Sequence, residues 1–242
     1  MRVCSSLRDA KVMFRLAQMV FEVVSVGVWV YNRVRFRALA SPFRVVQVPV
    51  SQIKRSIESS RYVHGRWYRI SGTVRMKDWD RLKLLPKKHD ELVQAFEGGI
   101  EKQGWFSDTR HRQRQDDAGG SHRLQWQGEL RRYAAMYHDF RAGQFRIPQR
   151  WGSSVDPFFV CIGADGEFIF TTGKHRLALA KVAGLKSIPA RISARHVKWQ
   201  KLRESVASDL QSGVPSSEVG VDLAHPDFSD IIEKVQIGST RL

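Results

Sequence analysis

The chain has 242 residues, of which 40 are lysine or arginine and 24 are aspartate or glutamate, so its formal net charge is +16. Its length suffices for one large domain with a core, and 42% hydrophobic and 10% aromatic residues exclude a chain that is disordered throughout. Two cysteines, Cys4 and Cys161, exclude a disulfide scaffold and a cysteine-rich zinc module.

The positive charge predicts an anionic partner, which is nucleic acid, the phosphates of a nucleotide or an anionic membrane surface. The charge is unevenly distributed, because residues 205–242 hold six acidic and two basic residues, a local charge of −4. By difference, residues 1–204 carry +20. The acidic segment either solvates itself or folds back on the basic surface. The scarcity of cysteine predicts a reducing compartment, and we expect the cytoplasm.

The N-terminal part contains an apolar stretch, Leu16–Tyr31. Polar residues interrupt it, and it is shorter than the roughly 18–20 clean apolar residues of a membrane-spanning helix. We predict a helical extension over residues 1–40. It either packs on the body or contacts an inner membrane surface through residues 12–37, with Trp29 and Tyr31 at the level of the headgroups.

Apolar strand patterns and helical patterns follow in the next part of the chain. Branched and alternating residues predict strands at Phe43–Val50, around Val63–Ile70 and at Thr73–Met76. Helical spacing predicts helices over His89–Gln103 and residues 128–142. The polar residues 107–127 are expected to form a surface loop.

The most informative segment runs from Pro157 to Ile192. Two apolar runs flank a turn at Ala164–Gly166, which predicts a β-hairpin. A helix is expected directly after Gly173, with Gly184 as its C-terminal glycine. Ile188–Ile192 is the next predicted strand.

The helix expected after Gly173 begins with three basic residues, Lys174, His175 and Arg176. The N–H groups of a first helical turn have no partners inside the helix, and a glycine lets a ligand approach the backbone closely. Cations at this end oppose the helix dipole unless an anion compensates them. The pattern therefore predicts a phosphate site, in which Arg176 grips two oxygens, Lys174 supplies a point charge and His175 donates a hydrogen bond. The alternative is three solvated residues.

The segment Gly173–Ile192 resembles the Gly-x-[His/Arg]-Arg…Ala…Gly-Leu…Ile-Pro box of the ParB/sulfiredoxin-like superfamily. The segment Val45–Ile53 is similar to the opening strand segment of that superfamily. The resemblance implies an α+β fold, a mixed sheet with helices, over residues 41–204 with an insertion near 106–150. An N-terminal helix and an irregular acidic C-terminal tail over residues 205–242 are expected to flank it.

The resemblance also implies a ligand, a nucleoside triphosphate whose phosphates lie at Gly173, Lys174, His175 and Arg176, with Mg²⁺ where the nucleotide reacts. Lys174 stands where sulfiredoxins have a cysteine, which disfavours sulfinic acid repair. Cys161 is expected to be a small core residue. About 50 residues follow the box, fewer than the helix-turn-helix extension of partition proteins needs, which disfavours a DNA-partition clamp. We expect a single-domain ParB-like protein.

Whether this protein is an enzyme stays open in the sequence. A nucleotide hydrolase or phosphotransferase needs carboxylates as general base and as Mg²⁺ ligands, and Asp78 and Asp80 are the candidates. The alternative is a turn of ordinary polar residues. The histidines have no metal-ligand spacing, so no resident metal site is predicted.

Two other functions compete with nucleotide binding. Arginines of residues 110–150 suit a nucleic-acid-binding protein without catalysis. The basic segment Arg191–Arg203 could also contact a polyanion, but we expect it to be a solvated helix face. A peripheral membrane protein that docks through residues 12–37 is the other alternative.

Overall fold

The computed structural model describes residues 3–57, 70–75, 87–97, 121–144, 158–215 and 220–239. The described part of the chain is α+β, as predicted, with helices around a mixed sheet. The strands are β1 (Val45–Pro49), β2 (Arg55–Ser56), β3 (Thr73–Arg75), β4 (Phe159–Ile162), β5 (Phe168–Thr172) and β6 (Ser187–His196). The helices are α1 (Val3–Arg35), α2 (Lys87–Glu97), α3 (Ser121–Arg141), α4 (Lys174–Val182), α5 (Val197–Gln211) and α6 (Ser229–Ser239), with short 3₁₀ turns at Val50–Gln52 and Pro226–Phe228.

The sheet is organised around β6. Along one edge, β6 pairs with β1 in the antiparallel sense and then with β3 in the parallel sense. Along its other edge it pairs with β4, which forms the predicted antiparallel hairpin with β5, and β2 lies parallel to β5. All four residues of β4 are buried, as expected of a short apolar run in the middle of a sheet.

Helix α4 packs its buried residues, Leu177–Ala180, on the sheet and ends as the sequence predicts. Gly184 adopts φ +70°, its N–H donates to the carbonyl of Lys181 (3.0 Å), and the N–H of Leu185 donates to the carbonyl of Ala180 (3.0 Å). These bonds satisfy carbonyls that the helix end leaves open. Helices α2 and α3 lie against α4 and cover it from outside.

Helix α3 begins at Ser121, so the predicted loop over residues 107–127 is wrong for residues 121–127. The physical reason is that residues 121–127 include Arg, Leu and Gln, which are good helix formers, whereas the preceding Gly119-Gly120 disfavours a helix. The helix predicted over His89–Gln103 is present as α2, and its predicted remainder lies outside the described residues, as does most of the strand expected around Val63–Ile70.

The described part of the C-terminal segment contains two stretches of α-helix, which corrects the prediction of an irregular tail. Residues 205–211 complete α5, and α6 follows a buried carboxylate, Asp227. The side chain of Asp227 accepts hydrogen bonds from Arg195 Nη2 (2.6 Å) and Trp199 Nε1 (2.9 Å) and lies 3.2 Å from Arg203 Nη1. The acidic segment therefore folds back on the basic body, one of the two alternatives that its charge allowed.

Burial alone would raise the pKa of Asp227, but the guanidinium groups of Arg195 and Arg203 hold this pKa below its usual range. Arg195 and Arg203 are themselves buried. The basic segment Arg191–Arg203 is therefore a solvated face only in part, because Arg195 and Arg203 are buried whereas Lys198 and Lys201 are exposed.

Helix α1 packs on the body over its C-terminal half, which confirms one of the two predicted arrangements. The hydroxyl of Ser25 accepts from the N–H of Ser71 (3.0 Å), and the amide of Asn32 donates to the carbonyl of Gly72 (3.1 Å). Trp29 lies against Gly72 and so faces the body. Among the helices described, none is both long enough and apolar enough to cross a membrane.

Candidate functional site

The turn between β5 and α4 consists of one residue, Gly173. Its backbone lies in the left-handed region, at φ +96° and ψ 35°. A Cβ atom at this position would come within 2.8 Å of Cδ2 of the buried Phe158. Both the conformation and the close approach to the ring require glycine. The chain therefore passes from β5 into the first turn of α4 with only Gly173 between them.

The first turn of α4 carries positive charge and has no acidic residue. Its first intrahelical hydrogen bond runs from the N–H of Leu177 to the carbonyl of Gly173 (3.0 Å). Lys174 is exposed, and His175 and Arg176 are half-buried. Glycine brings no side chain that could accept a hydrogen bond from the first-turn N–H groups. The positive end of the helix dipole and the cationic residues thus coincide at the protein surface.

The start of α5 offers a contrast within the same protein. There the side chain of His196 precedes the helix, and its Nδ1 accepts from the N–H of Lys198 (3.2 Å). Lys198 is exposed, as Lys174 is, but it stands at a capped helix start. The protein therefore holds exposed lysines at two helix starts, of which one follows a glycine and the other a capping side chain.

His175 is held by α3. The hydroxyl of Tyr133 lies 3.1 Å from Nδ1 of His175, and the two rings are 4.7 Å apart with an angle of 32° between their planes. Tyr133 is itself buried and meets Phe96 of α2 edge-on at 6.1 Å. The sequence pointed to Tyr133 as a packing residue or as an aromatic that stacks on single-stranded nucleic acid, and it did not link this residue to His175. The structure places it both in the core and in contact with a predicted phosphate-binding side chain.

His89 is a second residue that sequence reasoning missed. It is 4% exposed, its ring lies 6.5 Å from that of Phe170, and neither ring nitrogen has a hydrogen-bond partner in the described part of the chain. Burial, and then the charge of Lys181, lower its pKa to about 4, although Asp90 acts in the opposite direction. A signal was present, because His89 precedes Leu92, Val93 and Phe96 at helical spacing and so belongs to the buried face of α2.

Aromatic rings connect His89 to the Gly173 turn. The Phe170 ring lies 5.9 Å from that of Phe158, and the Phe158 ring lies directly against Gly173. The buried, neutral imidazole of His89 is therefore separated from the Gly173 turn by the phenyl rings of Phe170 and Phe158.

The structure brings Gly173, Lys174, His175 and Arg176 together as one helix start, as expected of consecutive residues. The proposed carboxylates Asp78 and Asp80 lie outside the described residues. Within the described ranges, no group of three or more His, Cys, Asp or Glu side chains is arranged to hold a metal ion. Cys161 is a buried core residue, as predicted, with its sulfur 3.0 Å from Oγ of Ser193.

A cleft of about 520 Å³ lies at the other end of β5, beside the β4–β5 turn. Asp165 is exposed in this turn, where the hairpin prediction placed it. The cleft is lined by both signs of charge, and across it Arg55 lies 3.4 Å from Glu167. This balance of charge distinguishes the cleft from the first turn of α4, which itself contains basic residues and no acidic one.

No protein-family model, no curated protein and no solved structure matches this chain. The resemblance to the ParB/sulfiredoxin-like superfamily therefore depends on the segments Gly173–Ile192 and Val45–Ile53 alone.

Proposed function

We propose that this protein binds a nucleoside triphosphate and holds its phosphates at Gly173–Arg176. The observation that carries the proposal is the construction of the α4 start, where a left-handed glycine in contact with Phe158 leads directly into three basic residues. This arrangement offers an anion the N–H groups of a first turn, the positive end of a helix dipole and cationic side chains together.

Each side chain has a distinct role in this proposal. Arg176 offers two parallel N–H donors, which fit two oxygens of one phosphate, and the exposed Lys174 supplies a mobile point charge. When the Tyr133 hydroxyl donates to Nδ1 of His175, the proton of a neutral imidazole is at Nε2 and can be donated to a phosphate oxygen. Gly173 supplies the left-handed turn that leads into these residues and leaves room for the Phe158 ring.

A chemical step, hydrolysis of the nucleotide or transfer of its phosphoryl group, is the second part of the proposal. Its support is the sequence, in which Asp78 and Asp80 offer carboxylates of the kind that hold Mg²⁺ and accept the proton of a nucleophile. Binding at Gly173–Arg176 does not depend on this step. The two parts are therefore tested separately.

A thermal-shift screen tests the binding proposal. ATP, ADP, CTP and GTP are each added with and without Mg²⁺, and we expect the midpoint of unfolding to rise with at least one of them, because a ligand that binds only the folded state stabilises it. Arg176→Ala should lose this rise, whereas Lys198→Ala, at the capped start of α5, should retain it. No stabilisation by any of the four nucleotides would refute the proposal.

Nucleic-acid binding without catalysis is the second candidate, and exposed arginines of α3 favour it. Arg131, Arg132 and Arg141 are exposed on this helix, which lies against α4. Phosphate contacts of this kind release counterions, so binding to a short oligonucleotide should weaken steeply with salt. Replacing Arg131 and Arg132 by Ala should reduce this salt dependence, while nucleotide-dependent stabilisation should persist.

A further inference from the structure

The face of α1 that lies against the body holds three buried polar residues beside Trp29. Glu22, Ser25 and Asn32 are 5%, 3% and 5% exposed, and each makes a polar contact across this interface, with Arg191, Ser71 and Gly72 respectively. A surface helix of a soluble protein ordinarily buries its apolar stripe and exposes its polar one. Helix α1 instead buries these three polar residues and exposes apolar residues on its opposite face.

The outward face of α1 exposes apolar side chains between Val12 and Val34. At 100° per residue, the exposed apolar residues fall within an arc of about 120°, on the side of the helix opposite Glu22 and Asn32. We call these residues the α1 stripe, and their exposed fractions run from 44% to 85%. They are Val12, Leu16, Met19, Val20, Val23, Val30, Tyr31 and Val34.

Basic residues flank the α1 stripe. By the same helical geometry Arg33 lies on one side of the stripe and Arg35 on the other, and both are exposed. Residues 3–37 contain six basic and two acidic residues, and one of the two acids, Glu22, is buried 3.7 Å from Arg191. The described side chains that flank the α1 stripe are therefore positively charged.

We propose that the α1 stripe lies on an anionic membrane surface. An apolar face between arginines matches acyl chains below anionic headgroups, because the valines enter the hydrocarbon boundary while the guanidinium groups stay with the phosphates. A second copy of the chain fits less well, since an antiparallel pair of α1 helices would bring Arg33 and Arg35 beside the basic residues near the N-terminus of the partner helix. Tyr31, not Trp29, is the aromatic residue at the lipid, because Trp29 faces the body.

Co-sedimentation with vesicles tests this inference with the full chain. We expect the protein to pellet with vesicles of phosphatidylcholine and phosphatidylglycerol in equal parts, to stay in the supernatant with phosphatidylcholine alone, and to be released by salt. Replacing Val20 and Val23 together by Glu should weaken binding on the order of 100-fold, because two buried apolar contacts are lost.

Ile237→Glu is the matched control, because Ile237 is as exposed as Val23, at 57% against 59%, but belongs to α6. This variant should bind vesicles as the unchanged protein does. An equal loss in Ile237→Glu, or no binding to the anionic vesicles, would overturn the inference. The inference would also be overturned if light scattering showed a dimer that dissociates when Val20 and Val23 are replaced, while vesicle binding stays unchanged. The proposed nucleotide site is independent of α1, so nucleotide-dependent stabilisation should be unchanged in both variants.

Discussion

The Tyr133 hydroxyl and Nδ1 of His175 lie 3.1 Å apart, which joins α3 to the first turn of α4. Tyr133 belongs to the helix that follows the long segment after α2, whereas His175 belongs to the Gly173–Arg176 turn after β5. The contact fixes the imidazole ring and sets which of its nitrogens faces the ligand in the proposed function. Part of the proposed site is therefore built by an element far away in sequence.

Tyr133→Phe tests this contact, because it removes the hydroxyl and keeps the ring. We expect nucleotide affinity to fall about 3- to 10-fold and the free energy of unfolding to fall by about 1 kcal/mol, as for the loss of one hydrogen bond. Tyr137→Phe, one turn further along α3, is the control and should leave affinity unchanged. Equal affinities of Tyr133→Phe and the unchanged protein would show that the hydroxyl does not position His175 for the ligand.

Gly173→Ala tests the turn. We expect the free energy of unfolding to fall by about 2–4 kcal/mol, because the new Cβ atom meets the Phe158 ring and the left-handed backbone is strained. Gly213→Ala separates the two causes, since Gly213 has φ +83° but open space around it. Its cost should be about 1 kcal/mol. Urea unfolding measures both, and equal losses would contradict the close contact with Phe158.

His89 gives the protein a pH-dependent stability. Its pKa is about 4 in the folded chain against 6.5 when unperturbed, so between these pH values the unfolded chain binds a proton that the folded chain does not. The free energy of unfolding should therefore decrease as pH is lowered from 6.5 to 4, by on the order of 2–3 kcal/mol, and this contribution is complete above pH 6.5. Lys181 and Asp90 are the charged groups that influence it.

Urea unfolding at several pH values, with His89→Leu and the exposed His138→Leu compared, measures this effect. The decrease should become smaller in His89→Leu, where the contribution of His225, whose pKa burial also lowers, remains, and it should persist in full in His138→Leu. A decrease of the same size in both variants would assign the pH dependence to other groups.

Asp227→Asn tests the buried ion pairs that attach the C-terminal segment. We expect a loss of about 3–5 kcal/mol at neutral pH, because the guanidinium groups of Arg195 and Arg203 remain buried without their counter-charge. The folded state keeps Asp227 ionised below the ordinary carboxyl pKa of 3.8, so this stabilisation is present above pH 3.8 and is lost progressively as pH falls below it. The difference in the free energy of unfolding between Asp227→Asn and the unchanged protein should therefore become smaller as the pH falls below 3.8.

Asp222→Asn is the control for this prediction, since Asp222 is exposed in the same segment. Its effect on the free energy of unfolding should stay below about 1 kcal/mol. An equally small effect of Asp227→Asn would contradict the structural role of the ion pairs.

The β4–β5 hairpin, α4 and its C-terminal glycine could be predicted from sequence because local signals specify them. Gly166 and Gly184 mark turns, and short apolar runs mark strands, without reference to distant residues. The start of α4 was predictable for the same reason, since Gly173–Arg176 is a contiguous motif.

The remaining features depend on long-range contacts that composition does not reveal. The sequence left open whether the acidic segment is solvated or folds back, and it did not single out Asp227, which is buried with Arg195 of β6 and Arg203 of α5. Tyr133 and His175 are 42 residues apart in sequence, so no local pattern links them. The inverted face of α1 likewise becomes visible only once Ser25 and Asn32 are seen against the body.

Calorimetric titration of the protein with the nucleotide that stabilises it most is the most direct test of the proposed function. We predict saturable binding of one nucleotide per chain, weakened on the order of 100-fold in Arg176→Ala, because a bidentate charged contact is lost, and unchanged in Lys198→Ala. Equal binding by the unchanged protein and Arg176→Ala would contradict a phosphate site at the start of α4.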